Sequence, residues 1–184
     1  MVENRYSKLQ KIMLFSDTHL AEYPSYYEGY LAVLNPQTNL LEELEASHYY
    51  FIKFVQDVPM DKFDYRYAEG KWTIKEIIQH LIDSERVYAY RALRFSRNDQ
   101  TELPGFDEND FMANCNANNR HLKDLLHEFS LVRHTTIELF KSLSEEAMRY
   151  TGKANGSSMS VRAIGFMLIA HQEHHKNIFR ERYL

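Results

Sequence analysis

Apolar residues recur at helical spacing in four long stretches of the chain, with polar residues filling the positions between them. From Thr38 to Asp57, Leu41, Leu44, Phe51 and Val55 share one face, and Pro59 ends the stretch. From Thr73 to about Ser96, Ile74, Ile77, Ile78, Leu81, Tyr88, Ala92 and Phe95 form a second stripe. Thr73 and Glu76 open it as a T-x-x-E capping box. A third stretch, Asn118 to Leu143, carries Leu122, Leu125, Phe129, Val132, Thr136 and Phe140; a fourth begins near Ser160 and runs to the C-terminus. The pattern predicts an all-α chain, a four-helix bundle with long connections. The connection from Arg97 to Asn116 is long enough to return along the bundle, which would make the second and third helices parallel. Short strands are expected only near the N-terminus, and no sheet is evident.

Histidines interrupt this pattern in a way that calls for a chemical reason. His171 and His175 lie one turn apart and point with Ile164, Met167, Leu168 and Ile178, so they face the apolar stripe. Two neutral imidazoles at i and i+4 present lone pairs to one point beside the helix, which suits a metal ion. Among 9 histidines in 184 residues, roughly 0.4 such pairs arise by chance, so a third ligand is needed to give the spacing meaning. His80 is the best source, on the flank of the second stripe together with Ser84 and Arg91. If the second and fourth helices are antiparallel, His80 lies about 10 Å from the start of one and His175 about 12 Å from the end of the other, at one height.

The segments Gly70-Lys71-Trp72-Thr73, His80-Leu81-Ile82-Asp83-Ser84-Glu85, Tyr90-Arg91-Ala92-Leu93-Arg94-Phe95 and His171-Gln172-Glu173-His174-His175 through Leu184 resemble, in this order, the DinB-like superfamily. The resemblance covers residues 22–184. It implies a four-helix bundle of the DinB-like type as a single domain over 22–184, with residues 1–21 as an N-terminal extension. It also implies a divalent metal held by His80, His171 and His175, and a homodimer. Some members are transferases that use a low-molecular-weight thiol, so the resemblance implies a metal-dependent S-transferase in which the ion activates a thiol cosubstrate against an electrophilic small molecule. Metal-activated water would make the chain a hydrolase instead, and a closed coordination sphere would make it a non-catalytic interaction protein. Zinc and nickel both suit imidazole ligands.

Other polar residues are candidates for the pocket wall or for partners of the ligands. His48 lies on the first stripe at a similar level, as a pocket residue or as a core histidine bonded to a hydroxyl or carboxylate. Glu85 interrupts the second stripe and needs a partner, either an imidazole N–H or an arginine. Arg91, Arg94 and Arg133 could bind substrate carboxylates or form salt bridges. His174 cannot aim at the same point as His175 from an undistorted helix and is expected at the rim. His121, His127 and His134 are expected at the surface. The string from Lys11 to His19 looks like the D-x-H opening of calcineurin-like metallophosphoesterases, but the G-D and G-N-H-D/E segments that complete that ligand set are absent.

Composition narrows the partners. A net charge of −4 provides no basic face for nucleic acid or acidic membranes, and no apolar run reaches the length of a membrane span. One cysteine, Cys115, allows no intrachain disulfide and fits a reducing compartment, and the N-terminus lacks a signal-peptide pattern, so a cytoplasmic location is expected. Phe166 and Ile169 point away from the stripe that carries His171. This second apolar patch is expected to be covered by the tyrosine-rich segment Glu22 to Leu34 or by a second subunit.

Overall fold

A computed structural model describes residues 12–184. The short helix α1 (Glu28–Leu31) leads to α2 (Leu40–Gln56), α3 (Ile74–Ser96), α4 (Glu108–Asn114), α5 (Leu122–Ser142) and α6 (Glu145–Arg149). A hairpin of β1 (Thr151–Ala154) and β2 (Ser157–Ser160) precedes α7 (Val161–Ile178). The result is an all-α helical bundle. Its long helices α2, α3, α5 and α7 are those the apolar spacing predicts, and α1, α4 and α6 add short helices in the connections. Side-chain caps set the helix starts: Asn39 accepts from the Leu41 amide at 3.2 Å, Thr73 and Glu76 cap each other's backbone, and Ser160 accepts from the Ala163 amide at 3.1 Å.

Contacts between side chains fix the directions of the helices. Along α3 and α5, Thr73 meets Asn118, Gln79 meets Arg120 and Glu85 meets Arg133, so the two run parallel. The Tyr183 hydroxyl donates to the Trp72 carbonyl, while His80 meets His171 further up, so α7 runs antiparallel to α3. Gly165 lets α7 approach its neighbours closely, because a Cβ there would lie 2.8 Å from Leu40 and 2.9 Å from Phe140.

The hairpin corrects the expectation that no sheet forms. Asn155 and Gly156 both take positive φ, 51° and 74°, the two-residue turn that an Asn-Gly pair favours. Its strands are four residues each and rich in Gly, Ser and Thr, so they carry no run of alternating apolar residues to reveal them. Leu103 lies along the hairpin edge, donating to the Lys153 carbonyl at 2.9 Å. Near the N-terminus the described residues contain no strand, only a bridge between Leu14 and Asn39.

Residues 1–11, the first part of the expected extension, lie outside the described residues, as does Lys11 of the D-x-H string. Asp17 and His19 of that string cap local backbone amides, those of Leu14 and Ala21. From residue 13 onward the N-terminal segment packs on the bundle: Met13, Tyr23, Tyr27 and Leu31 are buried, and the Phe15 ring lies 5.3 Å from that of Phe166. Phe166 and Ile169 are thereby buried within the chain's own fold, so that patch supplies no surface for a second subunit.

Two apolar clusters fill the bundle, one around Leu40, Leu44, Phe95, Phe140 and Ile164, the other around Phe51, Ile78, Leu125 and Phe179. A layer of buried polar groups lies between them, entered by each long helix: Ser47 on α2, Ser84 and Glu85 on α3, Arg133 on α5, and His171 and Gln172 on α7. Arg133, 1% exposed, makes two bonds to Glu85 at 2.8 and 3.0 Å and two more to the Leu44 carbonyl and Ser47 hydroxyl, each at 3.2 Å. Removing one member of a pair so fully withdrawn from water leaves a buried charge unpaired. Glu85→Gln should therefore lower the unfolding free energy by about 3–5 kcal/mol in urea melts, and replacing both residues with Met and Leu should cost much less. A Glu85→Gln loss under about 1 kcal/mol, the value typical of exposed pairs, would show that the pair does not anchor the layer.

Candidate metal centre

His80 comes from the second turn of α3, eight positions after Trp72, and His171 and His175 come from successive turns of α7. Because α3 and α7 are antiparallel, the three rings meet at one height. Nε2 of His171 lies 3.1 Å from Nε2 of His80 and 3.1 Å from Nε2 of His175. All three residues are buried, and their ligand atoms fall within 4.8 Å of one another. Among the described residues this is the one group of His, Cys, Asp and Glu side chains arranged to hold an ion.

Hydrogen bonding alone does not satisfy this arrangement. A neutral imidazole carries one N–H and one lone pair, so Nε2 of His171 can serve one of its two neighbours and not both. Protonation is opposed by burial, which pushes His80 down to about 4 and His171 and His175 well below their ordinary value, with the neighbouring rings adding to the effect. A cation between three lone pairs satisfies all of them. Bonds of 2.0–2.1 Å in a tetrahedral site place ligand nitrogens about 3.3 Å apart, close to the separations seen here. The buried three-histidine cluster can thus coordinate a divalent metal ion. Ser84 Oγ lies 3.4 Å from Nδ1 of His80, the ring nitrogen that would carry the proton if Nε2 served as the ligand. Nδ1 of His175 is buried without a hydrogen-bond partner.

His175 contributes to the wall of a cleft of about 230 Å³, together with Tyr67, Lys71, Trp72, Asn109, Ile178 and Tyr183. The Trp72 ring packs 4.9 Å from that of His80. Tyr30 closes another side, 6.1 Å from the His171 ring and 4.7 Å from that of His174. His174 is therefore turned toward Tyr30, at the rim.

The remaining candidates lie elsewhere. His48 bonds to Ser130 Oγ at 3.0 Å and stacks on Phe129, away from the three rings; burial and Arg133 push it down to about 4. Glu85 and Arg133 hold each other in the polar layer. Arg91 sits further along α3 beneath Phe106 and Tyr88. Arg94 pairs with Asp99 at the surface end of α3. His121, His127 and His134 are exposed, and Cys115 is a partly exposed free thiol. Lys71, Asn109, Tyr30 and Tyr67 line or cover the site without having been marked by spacing. Trp72 did have a signal, being the sole tryptophan and lying next to the cap of the helix that carries His80.

The model of the DinB superfamily matches residues 43–179. No curated protein matches the chain. Among solved structures the fold is similar to YfiT from Bacillus subtilis, described as a probable metal-dependent hydrolase with an unusual four-helix bundle topology. The TM-score is 0.69 at 16% identity, over 77% of this chain and 82% of that one. It is also similar to the DinB-like protein YjoA from Bacillus subtilis, with a TM-score of 0.54 at 17% identity, over 77% of this chain and 87% of the other. At these identities the likeness is one of fold.

The lowered histidine pKa values have a consequence for the metal-free protein. The unfolded chain takes up protons on these rings as pH falls through 6.5, whereas folded His80 does so only near 4 and burial holds the other two well below their ordinary value. Stability is full above pH 6.5 and is lost as pH falls below it, at about 1.4 kcal/mol per ring per pH unit. The urea midpoint of chelated protein should drop between pH 6.5 and 4, and less steeply in His171→Ala. An unchanged midpoint across that range would mean that the rings are not held neutral.

Proposed function

The chain belongs to the DinB superfamily, and from that premise we propose that it is a metal-dependent hydrolase whose ion is held by His80, His171 and His175. One observation carries the reading: three neutral imidazoles converge on one point, and one of them, His175, also lines a cleft of about 230 Å³. The fold shared with YfiT, the protein described as a probable metal-dependent hydrolase, supports it. Zinc or nickel suits the donor set. When bound, such an ion supplies a Lewis acid that lowers the pKa of coordinated water toward neutrality.

The chain's own residues supply the rest. Three neutral ligands leave the charge of an ion undiminished, and Ser84 is placed beside Nδ1 of His80, where it can accept a hydrogen bond from the proton that ligation through Nε2 puts there. Trp72, Tyr67 and Ile178 give the cleft an apolar wall that excludes water and receives the body of a small substrate. Lys71 and Asn109 offer donors for a substrate oxygen. No helix among the described residues is long and apolar enough to cross a membrane, and in this reading the protein works in the cytoplasm on a small molecule. Residues 22–184 act as the single domain, and the homodimer implied by the family is the assembly in which it works.

The S-transferase reading asks the same centre to activate a thiol, so the two part on one requirement. Zinc- or nickel-loaded protein should hydrolyse activated carboxylic or phosphoric esters with no thiol present, and the chelated protein should not. His80→Ala should lower turnover by more than about 100-fold, beyond the 10–100-fold typical of residues that only support a ligand. Turnover that appears only when a thiol is added would replace the hydrolase by the transferase. Turnover equal with and without metal would remove both.

A further inference from the structure

Arg91 is a buried cation that makes no ion pair among the described residues. Three arginines are buried among the described residues, at 8% exposure for Arg91, 1% for Arg133 and 8% for Arg162. Arg133 is paired with Glu85 and Arg162 with Glu22. Arg91 forms no ion pair among the described residues; its one hydrogen bond goes to the Pro104 carbonyl at 3.3 Å. Tyr88 and Phe106 lie against the guanidinium, 5.5 and 6.0 Å from their ring centroids. Such contacts offset part of the lost hydration but leave most of the five N–H donors unused.

The residue borders two cavities. Arg91 lines a polar cleft of about 70 Å³ with Tyr27, Ser157 and Glu108, far more than the ~10–15 Å³ that one water requires. It also lines an adjoining apolar hollow of about 340 Å³ with Val87, Leu103 and Phe106. Arg91 follows His80 by eleven positions on α3, about 16 Å along the axis, so this site is separate from the three histidines.

We propose that Arg91 is the centre of a second binding site, for a small organic anion whose carboxylate or phosphate head pairs with the guanidinium and whose apolar body lies over Val87, Leu103 and Phe106. A planar guanidinium with free donors matches both kinds of head, and an anion there supplies the missing counter-charge. Glu108, in the wall of the same cleft, sets an upper limit on affinity through its own negative charge.

Phenylacetate and phenyl phosphate separate the two kinds of head, with acetate and inorganic phosphate as controls lacking the body. Calorimetric titrations of the full chain at constant ionic strength should show saturable binding of at least one aromatic anion, tighter than its control. Arg91→Gln should weaken that binding by about tenfold or more, as expected for loss of hydrogen bonds to a charged group. Glu108→Gln, which leaves Arg91 in place, should strengthen it. His171→Ala should leave it unchanged, which separates this site from the metal centre. Absence of saturable binding, or equal affinity in wild type, Arg91→Gln and Glu108→Gln, would overturn the proposal.

Discussion

Glu85 and Arg133 are almost wholly removed from water, and that is tolerable only if they meet. Their meeting, with Ser47 and the Leu44 carbonyl as further partners, fixes how α2, α3 and α5 lie against one another. Gln172 extends the same constraint to α7 by donating to the Ser47 carbonyl at 2.9 Å. Apolar contacts above and below this layer supply most of the stabilisation, but they tolerate sliding; hydrogen bonds between buried polar groups do not. Helix register is therefore set in the middle of the bundle. The same register brings His80 to the height of His171 and His175.

Much of this was legible in the chain. Four apolar stripes gave the four long helices, most closely α3, whose start is set by the Thr73/Glu76 capping box, whereas α5 begins four residues after the expected Asn118. The His171/His175 spacing marks two imidazoles on one face of α7, and the resemblance to the DinB-like superfamily is what joins His80 to them. The Asn155-Gly156 turn was also present in the sequence, but its flanks carry too few apolar residues to read as strands. What could not be read was the identity of partners far apart in sequence. Glu85 needed an arginine or an imidazole, and only the parallel course of α3 and α5 selects Arg133. For the cover of Phe166 and Ile169 the family resemblance favoured a second subunit over the tyrosine-rich segment, and the path of the N-terminal segment, with Phe15 against Phe166, buries both within the chain's own fold.

The residues around the three histidines divide the work between holding and admitting. On α3, Ser84 lies behind His80 while Trp72 packs against its face. On the far side Tyr30, carried by α1, leans on His171 and His174. Neither Trp72 nor Tyr30 offers a ligand with the chemistry of imidazole, and both keep bulk water from the rings. A cleft lies beside them at His175. Burial thus keeps the imidazoles neutral, beside a cleft that His175 helps to line.

The central claim is that these three rings hold one ion and leave it a free position. X-ray absorption on the zinc-loaded protein tests it most directly, because outer-shell scattering from imidazole carbons counts histidine ligands. Three imidazole nitrogens at about 2.0–2.1 Å with one further oxygen are expected, and one imidazole should be lost in His175→Ala. A spectrum with fewer than three imidazoles in the wild type, or one that His175→Ala leaves unchanged, would contradict the claim.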